Sequence, residues 1–449
     1  MDFAVHGART SAALALVVMT VVAVALVLPT ASVAAPSITN VQVNQTFSGP
    51  FPTNKQNEPS LAQNPKNPSN LISGSNDEIG EPACSNTTPS SCPFVTGVQS
   101  SGFYDSFNGG KTWPCQGLID LSAFHEYSFG DPAQAFDSKG NAYYGTLAFP
   151  SPPTTEELAT GLQSDFFVAK STDGGCHYTS AARVSGSSPA IFDDKDAITA
   201  DANPSSPFHD NVYAAWTKFT TGGDQIVFSR STDGRATFSN PLAISPDYNN
   251  NHVGGRQGAA VKVGPDGTVY VVWLDTVNKQ AVERLSISHN GGKTFPMQNI
   301  TVATVTDDFV SPVPGSSFRQ DARSFPSFSI APDGTLYVAL GNRTGDPTNG
   351  HAVVLVTKST NGGVESHKVV PIRLPQSLTK SYRPSHWHTQ VASRPLAKRG
   401  GLIDRWAGFA SLPAHPSGRL WLSPELAPER ARHFPQADRQ TREDQDQSE

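Results

Sequence analysis

A short turn sequence recurs five times along the 449-residue chain, and this repeat constrains the fold more than any other feature. Each copy has serine first, asparagine or aspartate third and glycine fourth, and four copies end on an aromatic residue. The copies begin roughly 60 residues apart, close to the length of one four-stranded blade of a β-propeller. Their first residues are Ser106, Ser171, Ser231, Ser288 and Ser359. The spacing predicts a repeat protein with one such turn in each blade.

Each residue type in the turn has a local structural role. Serine hydroxyls and asparagine or aspartate side chains hydrogen-bond nearby backbone amides, and glycine adopts positive φ without a Cβ clash. Threonine then starts the next strand, and the final aromatic residue packs under the turn. We therefore predict that these turns join strands, and that their acidic residues are structural instead of catalytic.

A second pattern precedes each turn and predicts an inner hairpin of two strands. Its clearest copies span residues 131–144, 258–273 and 325–338, with weaker copies at 58–73 and 194–216. The second strands are apolar on both faces, as expected for strands that neighbouring blades cover on both sides. These hairpins and the five turns predict five blades.

The same pattern predicts a sixth, incomplete blade. Residues 404–422 repeat the inner hairpin, but no sixth turn follows Ser423. A strand at 38–44 has no other partner, so we predict that it completes the last blade and removes an exposed edge. The predicted fold is all-β: a six-bladed β-propeller of four-stranded antiparallel blades at 35–423, followed by a polar disordered tail at 424–449.

The N-terminal segment predicts export. Residues 11–29 form an apolar run, and Ser32-Val33-Ala34 places small residues before a cleavage point. We interpret residues 1–34 as a signal peptide. An uncleaved membrane anchor is the alternative, because the run is long enough to span a bilayer. The remaining chain is expected to be secreted or held at the cell surface.

Composition and charge narrow the expected partners. The net charge is −6 and no basic stripe is present, so nucleic acid is not an expected partner. No cysteine pair or partnered histidine has the spacing of a metal site, and we expect neither a metal nor another cofactor. We expect a monomer that contacts membrane only through an uncleaved N-terminal segment.

Four cysteines, Cys84, Cys92, Cys115 and Cys176, lie in the first half of the chain. Export favours disulfide formation. Cys84 and Cys92 bracket a short loop, so we favour a bridge between them and a second bridge between Cys115 and Cys176. All three pairings that four cysteines allow stay open from the sequence.

The recurring turns resemble the Asp boxes of the sialidase-like superfamily, and the resemblance covers residues 38–423. It implies a propeller in a superfamily of sialidases, other glycoside hydrolases, lyases and proteins without reported chemistry. A sialidase would carry an arginine motif at the opening of the first blade and a nucleophilic tyrosine in the last. This chain has Asn57-Glu58-Pro59-Ser60 at the first place and no tyrosine after Tyr382. The resemblance therefore does not extend to standard sialidase chemistry.

Candidate site residues lie where the inner hairpins begin and end, at the face opposite the turns, where several blades present side chains to one funnel. The predicted catalytic residues are Glu58, Asp77 and Asp131, because glycosidic cleavage uses one carboxylic acid and one carboxylate. Arginines suit an anionic sugar through paired donors. The predicted substrate-binding residues are Arg256, Arg319, Arg323, Asp194 and Gln257.

The function predicted from the resemblance and the charged funnel is an exported, glycan-acting propeller. If it is catalytic, we expect a glycoside hydrolase acting on an acidic sugar. The alternative is a non-catalytic propeller that binds glycan or protein at the cell surface. In that case the charged residues cap strands and bridge neighbouring blades.

Overall fold

The computed structural model describes twelve stretches of the chain, and all structural statements below concern these residues. They are 40–44, 56–81, 95–152, 163–186, 188, 190–220, 222–246, 255–277, 280–305, 325–344, 351–363 and 370–371. The described residues form 21 β-strands and one short 3-10 turn, Ser122–Phe124. Within this part of the chain, we find no helix with the length and apolarity needed to span a bilayer.

The strands form five antiparallel sheets, one in each blade of an all-β propeller. Blade 1 contains β1 (Gln56–Gln63), β2 (Leu71–Asp77), β3 (Ser101–Ser106) and β4 (Cys115–Leu118). Blade 2 contains β5 (Glu126–Ser128), β6 (Ala133–Phe136), β7 (Ala142–Pro150), β8 (Asp165–Ser171) and β9 (Ser180–Arg183). Blade 3 contains β10 (Phe192–Ala200), β11 (Val212–Thr220), β12 (Gly223–Ser231) and β13 (Leu242–Ala243).

Blade 4 contains β14 (Gln257–Val263), β15 (Val269–Val277), β16 (Gln280–Ser288) and β17 (Met297–Val305). Blade 5 contains β18 (Ser327–Ile330), β19 (Leu336–Thr344), β20 (His351–Ser359) and β21 (Val370–Pro371). In blade 2, β5 and β6 both pair with β7 and together replace the single first strand of the other blades.

The described residues form five blades, not the six that the sequence predicts. The predicted sixth hairpin at 404–422 lies outside the described residues, as do the predicted leader at 1–34 and tail at 424–449. The predicted closing strand at 38–44 is described only from residue 40, and residues 40–44 do not form a strand.

Val43 and Asn44 contact blade 1 instead of completing the last blade. Gln116 Nε2 donates to the Val43 carbonyl at 3.1 Å, and Asn44 Nδ2 donates to Gln56 Oε1 at 3.1 Å. A side chain of blade 1 therefore satisfies the Val43 carbonyl, a backbone group that a sheet partner could have bonded.

All five recurring turns adopt one geometry, between the third and fourth strand of each blade. In every copy the serine hydroxyl donates to the side-chain oxygen two residues later, over 2.5 to 3.1 Å. The same hydroxyl accepts a hydrogen bond from the amide four residues later, over 2.8 to 3.0 Å. The polar side chains of the motif are thus used in making the turn.

The turns define the two faces of the fold. Neighbouring strands run in opposite directions, so the end of a blade that carries its turn also carries the link between its first and second strands. We call this end the turn face. We call the opposite end, where the first strands begin and the second strands finish, the bulge face.

Contacts at the turn face hold neighbouring blades in phase. A side chain of one blade donates to a glycine carbonyl in the turn of the next, over 3.0 to 3.2 Å. These pairs are Asn70 with Gly174, Lys170 with Gly234, and Arg230 with Gly291. A disulfide between Cys115 and Cys176 also joins blades 1 and 2. Cys84 and Cys92 lie outside the described residues.

The hydrophobic core lies between successive blades. Trp216 packs with Phe166 between blades 2 and 3, and Trp273 packs in a cluster with Phe228 between blades 3 and 4. The second strand β15 is buried along almost its whole length. Its burial on both faces explains why its sequence is apolar without alternation.

Candidate functional site

A break in the first strand distinguishes the bulge face of four neighbouring blades. The register of the first strand shifts after Asn57 in blade 1, after Asp194 in blade 3 and after Gln257 in blade 4. In blade 2 the equivalent break separates β5 from β6. Such bulges bend a strand and redirect its side chains, and they are common beside active sites.

The residue within each break has a positive φ. The values are 52° for Glu58, 49° for Asp131, 51° for Lys195 and 72° for Gly258. This conformation costs a non-glycine residue about 1 to 2 kcal/mol, and blade 4 avoids that cost with glycine. Three adjacent blades nevertheless retain charged residues at the strained position. Retained strain of this kind is typical of functional positions.

These breaks bring Glu58, Asp131 and Lys195 together from three blades, and we call this group the central cluster. Lys195 Nζ lies 2.9 Å from Glu58 Oε2 and 3.1 Å from Asp131 Oδ1. The Lys195 amide also donates to Asp131 Oδ2 at 3.2 Å, and the two carboxyl groups lie within hydrogen-bond reach of each other. Their side chains stay 25% and 12% exposed, so solvent reaches the cluster.

The two carboxyl groups of the central cluster have opposite pKa shifts. Burial raises the pKa of Asp131 to about 6, although the charge of Lys195 opposes this effect. Burial also acts to raise the pKa of Glu58, but Lys195 and the hydrogen bond with Asp131 outweigh it and hold that pKa below its usual value. Near pH 6 the pair therefore shares one proton, with Asp131 as the acid and Glu58 as the anion.

Two further predicted residues lie beside the central cluster. Gln257 Nε2 donates to Asp194 Oδ2 at 2.6 Å, which links blade 4 to blade 3. Burial raises the pKa of Asp194 to about 6, and the charge of Asp131 adds to this effect. The neighbouring Asp196 has both carboxyl oxygens buried without a hydrogen-bond partner among the described residues. The bulge face thus places carboxyl groups from three blades around Lys195.

Asp77, a predicted catalytic residue, lies buried in blade 1. It is 1% exposed at the end of β2. Its Oδ1 accepts hydrogen bonds from Gln56 Nε2 at 3.0 Å and from the Ile79 amide at 3.1 Å, and its Oδ2 accepts one from the Tyr104 hydroxyl. The carboxylate is therefore enclosed within blade 1, and both of its oxygens are hydrogen-bonded there.

Arg256, a predicted substrate-binding residue, is fully buried between blades 3 and 4. Its NH1 donates to the Asp224 carbonyl at 2.8 Å, and its Nε lies 3.3 Å from Asp275 Oδ1. The guanidinium therefore joins two blades, and the sequence signal of a charged residue at a strand start did not reveal this burial. Arg319 and Arg323 lie outside the described residues.

The structure also adds Lys195 to the residues that the sequence selected. The sequence shows a charged residue at this strand start, but it does not show that two other blades place carboxyl groups around it. No group of three or more metal-ligating side chains occurs in the described part of the chain. The Lys195 ammonium lies between the carboxyl groups of Glu58 and Asp131, where a metal ion would otherwise need to bind.

Two substitutions at Lys195 are expected to distinguish the effect of its charge on stability from the effect of its strained backbone. Lys195→Ala leaves the two carboxyls without their counter-ion, so the free energy of unfolding at pH 7 should fall by about 3 kcal/mol. Lys195→Gly loses the same charge but accepts positive φ, so it should be about 1 kcal/mol more stable than the alanine variant. Urea unfolding measures both differences. An alanine variant as stable as the glycine variant would contradict the strained-bulge interpretation.

The fold and site together define a propeller with a carboxyl-rich bulge face. No protein-family model matches the chain, and no curated protein matches it. Solved structures that match include the "Hadza microbial sialidase", at 13% identity and a TM-score of 0.45, over 70% of this chain and 57% of that one. This chain thus spans little more than half the length of that sialidase.

Two further matches are enzymes that act on arabinose-containing glycans according to their names. An alpha-L-arabinanase from Penicillium chrysogenum, complexed with arabinobiose, is 12% identical with a TM-score of 0.46, over 76% of this chain and 87% of that one. An alpha-L-arabinofuranosidase from Fusarium graminearum is 11% identical with a TM-score of 0.42, over 69% and 78%. None of the residue roles assigned to this chain rests on these similarities.

Proposed function

We propose that this chain is an exported, glycan-acting propeller, and that the central cluster cleaves glycosidic bonds by hydrolysis. The supporting observation is the Glu58–Asp131 pair, in which burial and Lys195 separate two pKa values on one solvent-reached surface. Glycosidic cleavage needs an acid that protonates the leaving oxygen and negative charge beside the developing oxocarbenium ion. The pair supplies both near pH 6.

Asp131 is the proposed general acid. Below about pH 6 it holds a proton, which passes to the glycosidic oxygen as the bond to the anomeric carbon breaks. Glu58 stays ionised beside Lys195 and stabilises the positive charge that develops on the sugar ring. Lys195 orients both carboxyl groups through its two short contacts.

The close contact of the pair restricts how water attacks. Acid and partner carboxylate of glycoside hydrolases are separated by about 5 Å or more, whereas Glu58 and Asp131 are within hydrogen-bond reach and leave no room for a sugar between them. We assign activation of the attacking water to a third carboxyl, Asp194, whose charge acts on both members of the pair. The hydrolysed bond then lies on the solvent side of the cluster.

Export is part of the proposal. The apolar run at 11–29 supports it, and the disulfide between Cys115 and Cys176 fits an oxidising compartment.

Binding without turnover is the second candidate function. The same contact of Glu58 with Asp131 favours it, because a neutralised, mutually hydrogen-bonded cluster also serves as a purely structural link between three blades. Such a propeller would bind glycan at the bulge face without cleaving it.

Reducing-end release from a panel of soluble polysaccharides distinguishes the two functions. The full chain is incubated with arabinan, xylan, galactomannan, β-glucan, polygalacturonate and a sialylated glycoprotein between pH 4 and 8. Hydrolysis predicts turnover of at least one polymer, with a rate that is highest near pH 6. The rate falls above this pH as Asp131 loses its proton, and below it as Asp194 gains one. Retention on a polymer without any turnover would instead establish the binding function. If the chain neither cleaves nor is retained by any polymer, both functions are rejected.

A further inference from the structure

Five aromatic side chains form a continuous line along the bulge face of blades 2 and 3. Their ring centroids are separated by 4.6 Å (Phe129–Phe149), 5.8 Å (Tyr127–Phe149), 6.2 Å (Phe149–Phe192) and 6.3 Å (Phe192–Phe219). The four phenylalanines are partly exposed, whereas Tyr127 is 8% exposed. We call these five residues the aromatic strip.

Two residues of the aromatic strip lie close along the chain to residues of the central cluster. Phe129 lies two residues before Asp131, and Phe192 lies three residues before Lys195. Phe149 is paired with Tyr127 across the sheet, and Phe219 is paired with Phe192. Tyr127, Phe149, Phe192 and Phe219 thus lie at the bulge-face ends of strands, and Phe129 lies in the break between β5 and β6. A ligand that touches Asp131 from solvent can extend directly over the strip.

The charge around the strip favours an uncharged ligand. The carboxyl groups on the first strands of blades 1 to 3 outnumber the ammonium groups on the adjoining strands. The carboxyls are Glu58, Asp131, Asp193, Asp194 and Asp196, and the ammonium groups are Lys195 and Lys218. Lys195 is already ion-paired. Burial raises the pKa of Asp131 and Asp194 to about 6 and that of Asp193 to about 7, so these groups are ionised at pH 8. At that pH a substrate carboxylate or sulfate would meet net repulsion, whereas a neutral sugar would not.

We propose that the aromatic strip binds consecutive units of an uncharged oligosaccharide and directs one glycosidic bond towards Asp131. Aromatic rings offer large, rigid apolar faces, and sugar rings present C–H faces that pack against them while their hydroxyls stay hydrated. The strip crosses two blades, so it fits a chain of several sugars better than a monosaccharide. The direction of a glycosidic bond towards Asp131 rests on the proposed function, whereas the binding of sugars to the strip does not.

Affinity gel electrophoresis tests the strip independently of turnover. The full chain is run at pH 8 through gels containing arabinan, xylan, galactomannan, β-glucan or the acidic polygalacturonate. We expect retardation by at least one neutral polymer and none by polygalacturonate. Phe149→Leu and Phe192→Leu keep apolar volume but lose the ring face, and each should weaken retention about tenfold. Thermal unfolding midpoints within a few degrees of the parent confirm that these variants fold.

Phe107→Ala is the matched control, because Phe107 is 42% exposed in the first turn, on the turn face. It should bind like the parent chain. The proposed binding role of the aromatic strip would be overturned by retardation by polygalacturonate alone or by no polymer. Equal retardation of the leucine variants and the parent chain would overturn it too. Asp131→Asn keeps the strip, so it should remain retarded even where turnover is lost. Failure of turnover with ring-dependent retardation would reject the hydrolase and retain the strip.

Discussion

The Asp131→Asn variant is expected to fold normally and to lose about 100-fold or more of the glycan-cleaving rate. Asparagine is close in shape to aspartate and tolerates the φ of 49° at this position. Its amide can still meet Glu58 and Lys195, but it has no acidic proton for the leaving oxygen. Initial rates of reducing-end release near pH 5.5, with thermal unfolding in parallel, measure the loss.

Two comparisons sharpen this prediction. Asp173→Asn changes a turn aspartate to the residue found at the same place in the first, fourth and fifth turns, so it should leave the rate unchanged. A substrate with an acidic phenol as leaving group needs little protonation, so Asp131→Asn should lose much less of its rate on that substrate. A uniform loss on both substrate types, or no loss on either, would contradict the acid role.

The Asp105→Asn variant is expected to be more stable than the parent chain by about 5 kcal/mol at pH 8 and nearly equal to it at pH 4. Asp105 lies on β3, fully buried against the second turn. Burial raises its pKa to about 8, the charge of Asp173 adds to this effect, and Asn70 opposes it. A neutral amide removes the need to keep a proton on this group.

The direction of the pH dependence follows from proton uptake. Between its usual pKa of 3.8 and about 8, Asp105 stays protonated in the folded chain but ionises in the unfolded chain. With respect to Asp105, the free energy of unfolding is therefore highest below pH 4 and declines as the pH rises through this window. Asp105→Asn should remove the part of this decline that Asp105 causes. The part caused by the buried Glu126 and Asp193, whose pKa values are also raised, should remain.

Urea unfolding at pH 4, 6 and 8 measures this effect. Asp233→Asn is the control, because Asp233 is an exposed turn aspartate whose pKa the turn hydrogen bonds lower to about 2, against burial. Its replacement should change stability slightly and in the opposite direction, with the loss confined to pH values above the pKa. Parallel pH curves for Asp105→Asn and the parent chain would show that Asp105 does not hold its proton.

The repeated turns and hairpins made the fold predictable, because each motif uses local hydrogen bonds that neighbouring sequence already specifies. The positions of the strand starts along the chain also indicate that Glu58, Asp131, Asp194 and Gln257 share one face. The described residues form five blades, whereas six were predicted. Val43 and Asn44 contact blade 1 instead of closing the last blade. Both errors concern long-range strand pairing, which local sequence specifies weakly.

Side-chain direction was the part that sequence could not provide. Asp77 and Arg256 have the same polar character and strand-end position as Glu58 and Asp131, yet both are buried. The difference arises from the strand breaks, which turn Glu58 and Asp131 towards solvent through positive φ. Only glycine marks this conformation in sequence, and only blade 4 uses it there. The signal that could have located the site is the alignment of Gly258 with three charged residues.

The titration of Asp131 tests the central claim most directly, because it requires no substrate. Chain labelled with 13C at aspartate carboxyls is followed by NMR from pH 3 to 9, and the Asp131 signal is assigned by its absence in Asp131→Asn. The shared cluster predicts a midpoint near 6, rising further in Lys195→Ala because the opposing positive charge is removed. A midpoint near 3.8 that Lys195→Ala leaves unchanged would show that the three blades do not form one proton-sharing group.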